Sequence, residues 1–157
     1  MTQNSTNQGP KIALFEPDIP QNTAAIIRFA SCFGMKIHII EPCSFSLDDK
    51  RFTRVAMDYM DINHLHRYSD FKNFKDNNKK SRIILLTTKS PISYLDFKFK
   101  KNDILLLGRE SKGVPKELHS SLKYKLKIPI SKNTRSLNVA ISGAVASAEA
   151  LRQNNFL

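Results

Sequence analysis

The residues best suited to chemistry form a polar loop from Gly108 to Gly113, directly after the apolar run at 104–107. Such a run, bounded by turn formers, predicts a buried strand of a parallel sheet. The loop would then lie at the carboxyl end of a strand, where open α/β sheets bind ligands. The glycines permit a tight turn, and Pro115 suits the first turn of a helix. We therefore expect a ligand site here, although an ordinary loop with solvated charges fits the same pattern.

Two further loops place polar groups after predicted strands. The loop at 16–23 contains Asn22, and Arg28 lies two turns into the helix that follows. The loop at 128–138 is dense in hydroxyl, amide and guanidinium groups, which can hold a ribose, an adenine edge or a phosphate. Ser136 in this loop also fits the N-cap of the next helix. Three loops of this composition favour one composite site.

The elements that position these loops alternate between strand and helix. This alternation predicts an α/β fold with a mostly parallel sheet and helices on both faces. The predicted strands are Lys11–Phe15, Lys36–Ile40, Ile62–Arg67, Arg82–Thr87, Asp103–Leu107 and Tyr124–Ile130. The predicted helices are Pro20–Phe33, closed by Gly34, Asp48–Met57, Ser69–Asn77, with Ser69 as its cap, and Leu137–Gln153.

The final helix has almost no polar face before Glu149, which predicts that it is covered on nearly all sides. Its small residues permit close approach of another helix or of backbone. The helix could be threaded within the fold, packed against a second subunit, or both. A central core helix in a monomer fits the same pattern.

Length and charge limit the function classes. The 157 residues predict a single domain at 11–157 after a flexible tail at 1–10. The net charge of +11 favours a polyanionic partner such as RNA or DNA. No apolar window is long enough for a membrane span or a signal peptide, which predicts a cytoplasmic protein. The two cysteines suggest no disulfide framework, and His64 and His66 are not expected to bind a metal.

Three segments resemble the motifs of the SPOUT RNA 2'-O-ribose methyltransferases. They are EPDIPQNTAAIIRFA (16–30), LLLGRESKGVP (105–115) and IPISKNTRSLNVAISGAVASAEALR (128–152). Within that superfamily, HIIEP (38–42), DDKRFTRVAMDY (48–59) and LTTK (86–89) resemble the TrmL (YibK) group, the tRNA (cytidine(34)-2'-O)-methyltransferases. The resemblance extends from Lys11 to Arg152, and Ala24 departs from it where relatives often have glycine.

The resemblance implies an enzyme that methylates the ribose of the tRNA wobble nucleotide, cytidine 34 or a modified uridine, using S-adenosylmethionine. It also implies a homodimer and a deep trefoil knot formed by the last third of the chain. No metal is implied. The implied cofactor-binding residues are Leu86, Gly108, Ile128 and Ser136, with Thr87, Glu110, Gly113 and Leu137 as neighbours. The implied catalytic residues are Arg28, Asn22, Glu110, Ser136 and Asn138, and the implied RNA-binding residues are Arg28 and Arg135.

The role of Arg28 is constrained by its chemistry. Methylation requires the ribose hydroxyl to lose a proton, and a guanidinium is a poor proton acceptor. We expect Arg28 to orient the target phosphate and ribose and to stabilise developing negative charge, with a phosphate oxygen or water as candidate proton acceptors.

Two other functions stay open. Ribose methylation at another position of tRNA or rRNA would keep every motif, although larger relatives of that kind generally carry an extra RNA-binding domain. A basic RNA-binding protein without enzyme activity would also explain the charge, but the candidate catalytic residues are all present. A flavin or dinucleotide binder is disfavoured because the loop after the first strand has no glycine.

Overall fold

The computed structural model describes residues 9–58 and 64–157. Six strands form one sheet: β1 (Lys11–Phe15), β2 (Ile37–Ile40), β3 (Leu65–Tyr68), β4 (Ile83–Leu86), β5 (Ile104–Leu107) and β6 (Tyr124–Leu126). Their order is β3-β2-β1-β5-β4-β6, and every pairing is parallel. The helices are α1 (Pro20–Cys32), α2 (Lys50–Met57), α3 (Phe71–Asp76), α4 (Lys116–Ser121) and α5 (Val139–Gln153).

Strands β4 and β5 are fully apolar, as expected where helices cover both faces of the sheet. On one face, α1, α2 and α5 contribute to a buried cluster that includes Ile27, Ile39 and Leu105. On the other face, α3 and α4 pack over a second cluster that includes Phe74 and Leu106. The predicted α/β architecture is therefore confirmed, whereas the trefoil knot stays a prediction.

The residues of helix α1 explain why its bounds could be predicted from the sequence. Pro20 opens the helix, where a missing amide hydrogen costs nothing, and Ile26, Ile27 and Ala30 bury one face. The chain leaves the helix through Gly34 at φ 66°, a backbone conformation that glycine adopts readily. The prediction is correct to within one residue.

Several predicted boundaries are wrong for local reasons. Asp70, not Ser69, caps α3, because its side chain accepts a 2.7 Å hydrogen bond from the amide of Asn73. Strand β6 ends at Leu126 rather than Ile130, since the amide of Lys127 donates instead to the carbonyl of Ile92 in the β4–β5 connection.

Helix α4 was predicted only through its start, since Pro115 was expected in a first turn and is the N-cap, and some other predictions fall on undescribed residues. The six residues of α4 are too short to show a helical period. The predicted tail lies outside the described residues up to position 8. The first two residues of the predicted strand Ile62–Arg67 also lie outside them, and the described strand is β3.

The end of α5 is tied to the β4–β5 connection. Gln153 accepts a 2.9 Å hydrogen bond from the amide of Phe99 and donates a 3.0 Å bond to the carbonyl of Phe97. Asn154 donates to the carbonyl of Phe99 at 3.3 Å. These bonds fix the helix against a loop from a distant part of the sequence.

Coverage of α5 is less complete than the sequence predicted. Ala140, Ala146 and Ala150 are buried, but Ile141 is 53% exposed. The single chain therefore leaves an apolar part of this helix in contact with solvent.

Candidate active site

A cavity of about 530 Å³ opens at the carboxyl ends of β4 and β5. Its walls come from three segments, at 85–89, 107–114 and 128–142, together with Asn22 of α1 and His119 of α4. The volume lies in the range of small-molecule sites, which is roughly 300–1,000 Å³. The three predicted loops therefore meet in one place.

Most of the predicted site residues line this cavity. They are Asn22, Leu86, Thr87, Gly108, Glu110, Gly113, Ile128, Ser136, Leu137 and Asn138. Arg28 and Arg135 are not among the lining residues. Both side chains are exposed, Arg28 on α1 and Arg135 in the loop before α5.

The glycine loop, residues 108–113, closes on itself at the cavity edge. The amide of Arg109 donates to the carbonyl of Gly113 at 3.1 Å, and the amide of Gly113 donates back at 2.8 Å. A Cβ on Gly108 would lie only 2.8 Å from the Gly113 backbone, so no side chain fits there. Gly113 itself has φ +64°. Each glycine is thus required for a different reason, one by space and one by backbone conformation.

Two loops are joined by the acidic residues Asp18 and Glu110. The amide of Asp18 donates to Glu110 Oε2 at 3.1 Å, and the amide of Glu110 donates to Asp18 Oδ1 at 3.2 Å. The Ser111 hydroxyl donates to Asp18 Oδ2. Burial, and then the neighbouring Asp18 carboxyl group, raise the pKa of Glu110 above its ordinary value. The hydrogen bond with Glu110 lowers the pKa of Asp18. Asp18 is therefore the first of the two carboxyl groups to lose its proton as the pH rises.

A second link between the same loops is the ion pair of Arg109 with Glu16. The Arg109 guanidinium also lies 5.7 Å from the centre of the Phe15 ring. Its Nε atom is buried and has no hydrogen-bond partner among the described residues. Glu16 adopts φ 42°, an uncommon conformation for a residue other than glycine. This pair was not predicted, because nothing in the sequence shows that positions 93 residues apart are adjacent.

Asn138 connects the last loop to α1. Its side-chain oxygen accepts from the amides of Ala140 and Ile141, which makes Asn138, not Ser136, the N-cap of α5. Its side-chain nitrogen donates to Asn22 Oδ1 at 2.9 Å. One amide group therefore fixes both the start of α5 and a side chain in the cavity wall. Ser136 is an exposed hydroxyl before the cap and lines the cavity.

Three basic side chains, from His119, Lys89 and Lys112, also line the cavity. His119 Nε2 and Thr87 Oγ1 are 3.3 Å apart, which joins α4 to the end of β4. Burial, together with the positive charges of Lys125 and Lys89, lowers the pKa of His119. Both cavity lysines lie in segments that the sequence singles out, Lys89 in LTTK and Lys112 in LLLGRESKGVP, whereas nothing in the sequence indicated His119.

The family model for the SpoU rRNA Methylase family matches residues 10–148. The chain belongs to the SpoU rRNA methylase family. The matched range contains β1 to β6 and all three loops of the cavity. The predicted membership of the ribose methyltransferases is thereby confirmed.

Individual relatives of this SpoU methylase agree with one another. A protein of Ancylobacter novellus named tRNA (cytidine(34)-2'-O)-methyltransferase is 42% identical over 144 residues, covering 90% of this chain and 91% of its own length. A protein of the same name from Escherichia coli K12 is 35% identical over 144 residues, covering 90% and 92%. A solved structure from work on the 2-OH methylation of C/U34 on tRNA has a TM-score of 0.85 and 32% identity, covering 93% of this chain and 96% of that one.

Residues 9–58 and 64–157 contain neither a candidate metal site nor a candidate membrane span. No group of three or more His, Cys, Asp or Glu side chains there could hold a metal ion. No helix among them is long and apolar enough to span a membrane.

Proposed function

We propose that this SpoU methylase transfers a methyl group from S-adenosylmethionine to the 2'-hydroxyl of the tRNA wobble nucleotide, cytidine 34 or a modified uridine 34. The observation that carries the proposal is the convergence of the three family motifs on one cavity. The relatives named for the same reaction cover about nine-tenths of this chain and of their own length.

The cavity fits an adenosine-containing cofactor. Gly108 lets the loop at one wall close tightly, because a side chain there would collide with the Gly113 backbone. Leu86 and Ile128 supply half-buried apolar surface, and Ser136 supplies a hydroxyl. We assign these four residues to the cofactor. When bound, S-adenosylmethionine supplies a methyl group on a positively charged sulfur and requires no metal.

The remaining polar residues would position the ribose. Asn138 holds Asn22 at the cavity wall, and Glu110 is held there by Asp18. Arg28 on α1 and Arg135 in the loop before α5 are exposed cations, suited to phosphate contacts. Arg28 would orient the target nucleotide and stabilise negative charge on the ribose oxygen, because its guanidinium is a poor base.

The excess of basic residues fits a tRNA partner, and tRNA modification fits the cytoplasm. A homodimer would remove the apolar surface left open on α5. Ile141 of the helix is 53% exposed, and Leu137, two residues before the helix begins, is 38% exposed. Burying such side chains against a second copy stabilises association, since apolar area is removed from water.

The test is to incubate the protein with methyl-labelled S-adenosylmethionine and cellular tRNA, and then to map the label by nuclease digestion and mass spectrometry. Ribose label at position 34 that disappears in Arg28→Ala supports the proposal. Label at another tRNA or rRNA position would keep the chemistry and refute the target. Cofactor binding without methylation of any RNA would refute the enzyme and favour an RNA-binding protein.

A further inference from the structure

Asp18 and Glu110 form a carboxyl pair that joins two of the loops at the cavity. Asp18 follows β1 and Glu110 follows β5, and their reciprocal bonds of 3.1 and 3.2 Å join main chain to side chain in both directions. Ser111 adds a further bond to Asp18. Two loops 92 residues apart in sequence are thus held around one pair of carboxyl groups.

The pair is placed where a proton could be received from a bound ligand. Glu110 is half-buried and lines the cavity together with Asn22 and Asn138. Its bond to the Asp18 amide uses only part of its hydrogen-bonding capacity, because a carboxylate can accept about four bonds.

The charged groups around Glu110 do not neutralise it. Glu16 and Arg109 from the same two loops pair with each other. The Cys43 thiol contacts neither carboxyl group through a hydrogen bond among the described residues, and burial raises its pKa to about 11. Lys112 lines the same cavity as Glu110. Asp18 is therefore the charge that acts most directly on Glu110, and it shifts the pKa of Glu110 upward.

The proposed reaction needs a proton acceptor that Arg28 cannot supply. A general base works best when its pKa lies close to the working pH. A carboxylate with a raised pKa satisfies this condition better than an ordinary glutamate, and far better than a guanidinium.

We propose that the Glu110 carboxylate accepts the proton of the ribose 2'-hydroxyl, and that Asp18 is the positioning residue that holds Glu110 and strengthens it as a base. The inference rests on the proposed function. In the step, the 2'-oxygen forms a bond to the methyl carbon while the carbon–sulfur bond breaks and its electron pair stays on sulfur. The hydroxyl proton goes to Glu110, so the products are a ribose ether, a neutral thioether and a protonated carboxyl group.

The first test is Glu110→Gln, measured as the single-turnover rate of methyl transfer to tRNA. Glutamine keeps an oxygen that accepts from the Asp18 amide but cannot take the proton. We expect the rate to fall about 10²- to 10⁴-fold, the usual contribution of a general base. Cofactor affinity by calorimetry should stay within about threefold. The matched control is Glu117→Gln, an exposed residue at the start of α4, which should keep the full rate.

The second test is Asp18→Asn, measured as the pH dependence of the same rate. Losing the neighbouring negative charge lowers the pKa of Glu110, so the acidic limb of the profile should move to lower pH. Asp96→Asn, an exposed matched control, should leave the limb in place. A merely structural role for Asp18 would lower the rate equally at every pH.

The two hypotheses fail in different ways. If the unmodified protein transfers no methyl group to ribose, the proposed function fails. If the unmodified protein is active and Glu110→Gln retains its rate within about threefold, the base assignment is wrong. An acidic limb that does not move in Asp18→Asn overturns the role of Asp18.

Discussion

Replacing Gly108 with alanine tests the cavity edge most sharply. The added Cβ would lie 2.8 Å from the carbonyl carbon and the Cα of Gly113 and 3.1 Å from the Val114 amide. These are backbone atoms, so they cannot swing aside as the end of a side chain can. Relief requires the loop to open, which strains the two hydrogen bonds between Arg109 and Gly113. Overpacking of this kind costs about 1–3 kcal/mol.

For a chain of this size, that cost lowers the thermal midpoint by about 3–9 °C, at roughly 3 °C per kcal/mol. The same opening displaces a wall of the cavity. We therefore expect affinity for S-adenosylmethionine to fall at least about tenfold, which corresponds to about 1.4 kcal/mol. Differential scanning calorimetry and titration calorimetry measure the two effects separately.

The matched control is Gly34→Ala at the end of α1. Gly34 has φ 66°, so alanine is strained there by about 1–2 kcal/mol. This position is not among the residues that line the cavity, so the control should lose stability and keep cofactor affinity. If Gly108→Ala keeps its affinity for S-adenosylmethionine, whatever its thermal midpoint, the argument that this glycine shapes the cavity edge is refuted.

Three further predictions concern polar side chains whose partners or surroundings are defined in the structure. Asp103→Ala should cost about 3–5 kcal/mol in urea unfolding, because it leaves the Arg82 guanidinium without its carboxylate at 2.6 Å; a loss under about 1 kcal/mol would contradict this. Burial, followed by the charges of neighbouring cations, lowers the pKa of His38 to about 3. Its contribution to stability is present above about pH 6.5 and is lost as the pH falls toward 3, so His38→Phe should flatten that slope in acid titrations of unfolding. Asn138→Asp keeps the cap oxygen but loses the donor to Asn22, so methyl transfer should fall while the thermal midpoint stays within about 3 °C; equal activity would refute the positioning role.

The sequence was sufficient to predict the strands, though not their order in the sheet, because the signals for a strand are local. The run at 104–107 is buried along its whole length, and only a strand covered on both faces needs that pattern. The spacing of apolar residues in α1 likewise predicts which of its faces is buried. Ser69 was predicted as the cap of α3, but Asp70 is the cap. Serine and aspartate are both good cap residues, so residue type alone does not distinguish these adjacent positions.

The site was only partly predictable. The loops could be found because each follows a strand, and parallel strands bring their carboxyl ends to one edge. The links between loops could not be found. Asp18 with Glu110 and Glu16 with Arg109 are pairs whose adjacency depends on β1 lying beside β5. The spacing of residues in the sequence does not show that these two strands are neighbours.

The measurement that tests the central claim most directly compares two tRNA substrates that differ by one oxygen atom. One contains cytidine at position 34, and the other contains 2'-deoxycytidine there. With labelled S-adenosylmethionine, we expect methyl transfer to the first and none to the second, while a deoxy substitution at a neighbouring anticodon-loop position should leave transfer intact. Equal labelling of the deoxycytidine substrate would show that the acceptor is not this hydroxyl and would contradict the account.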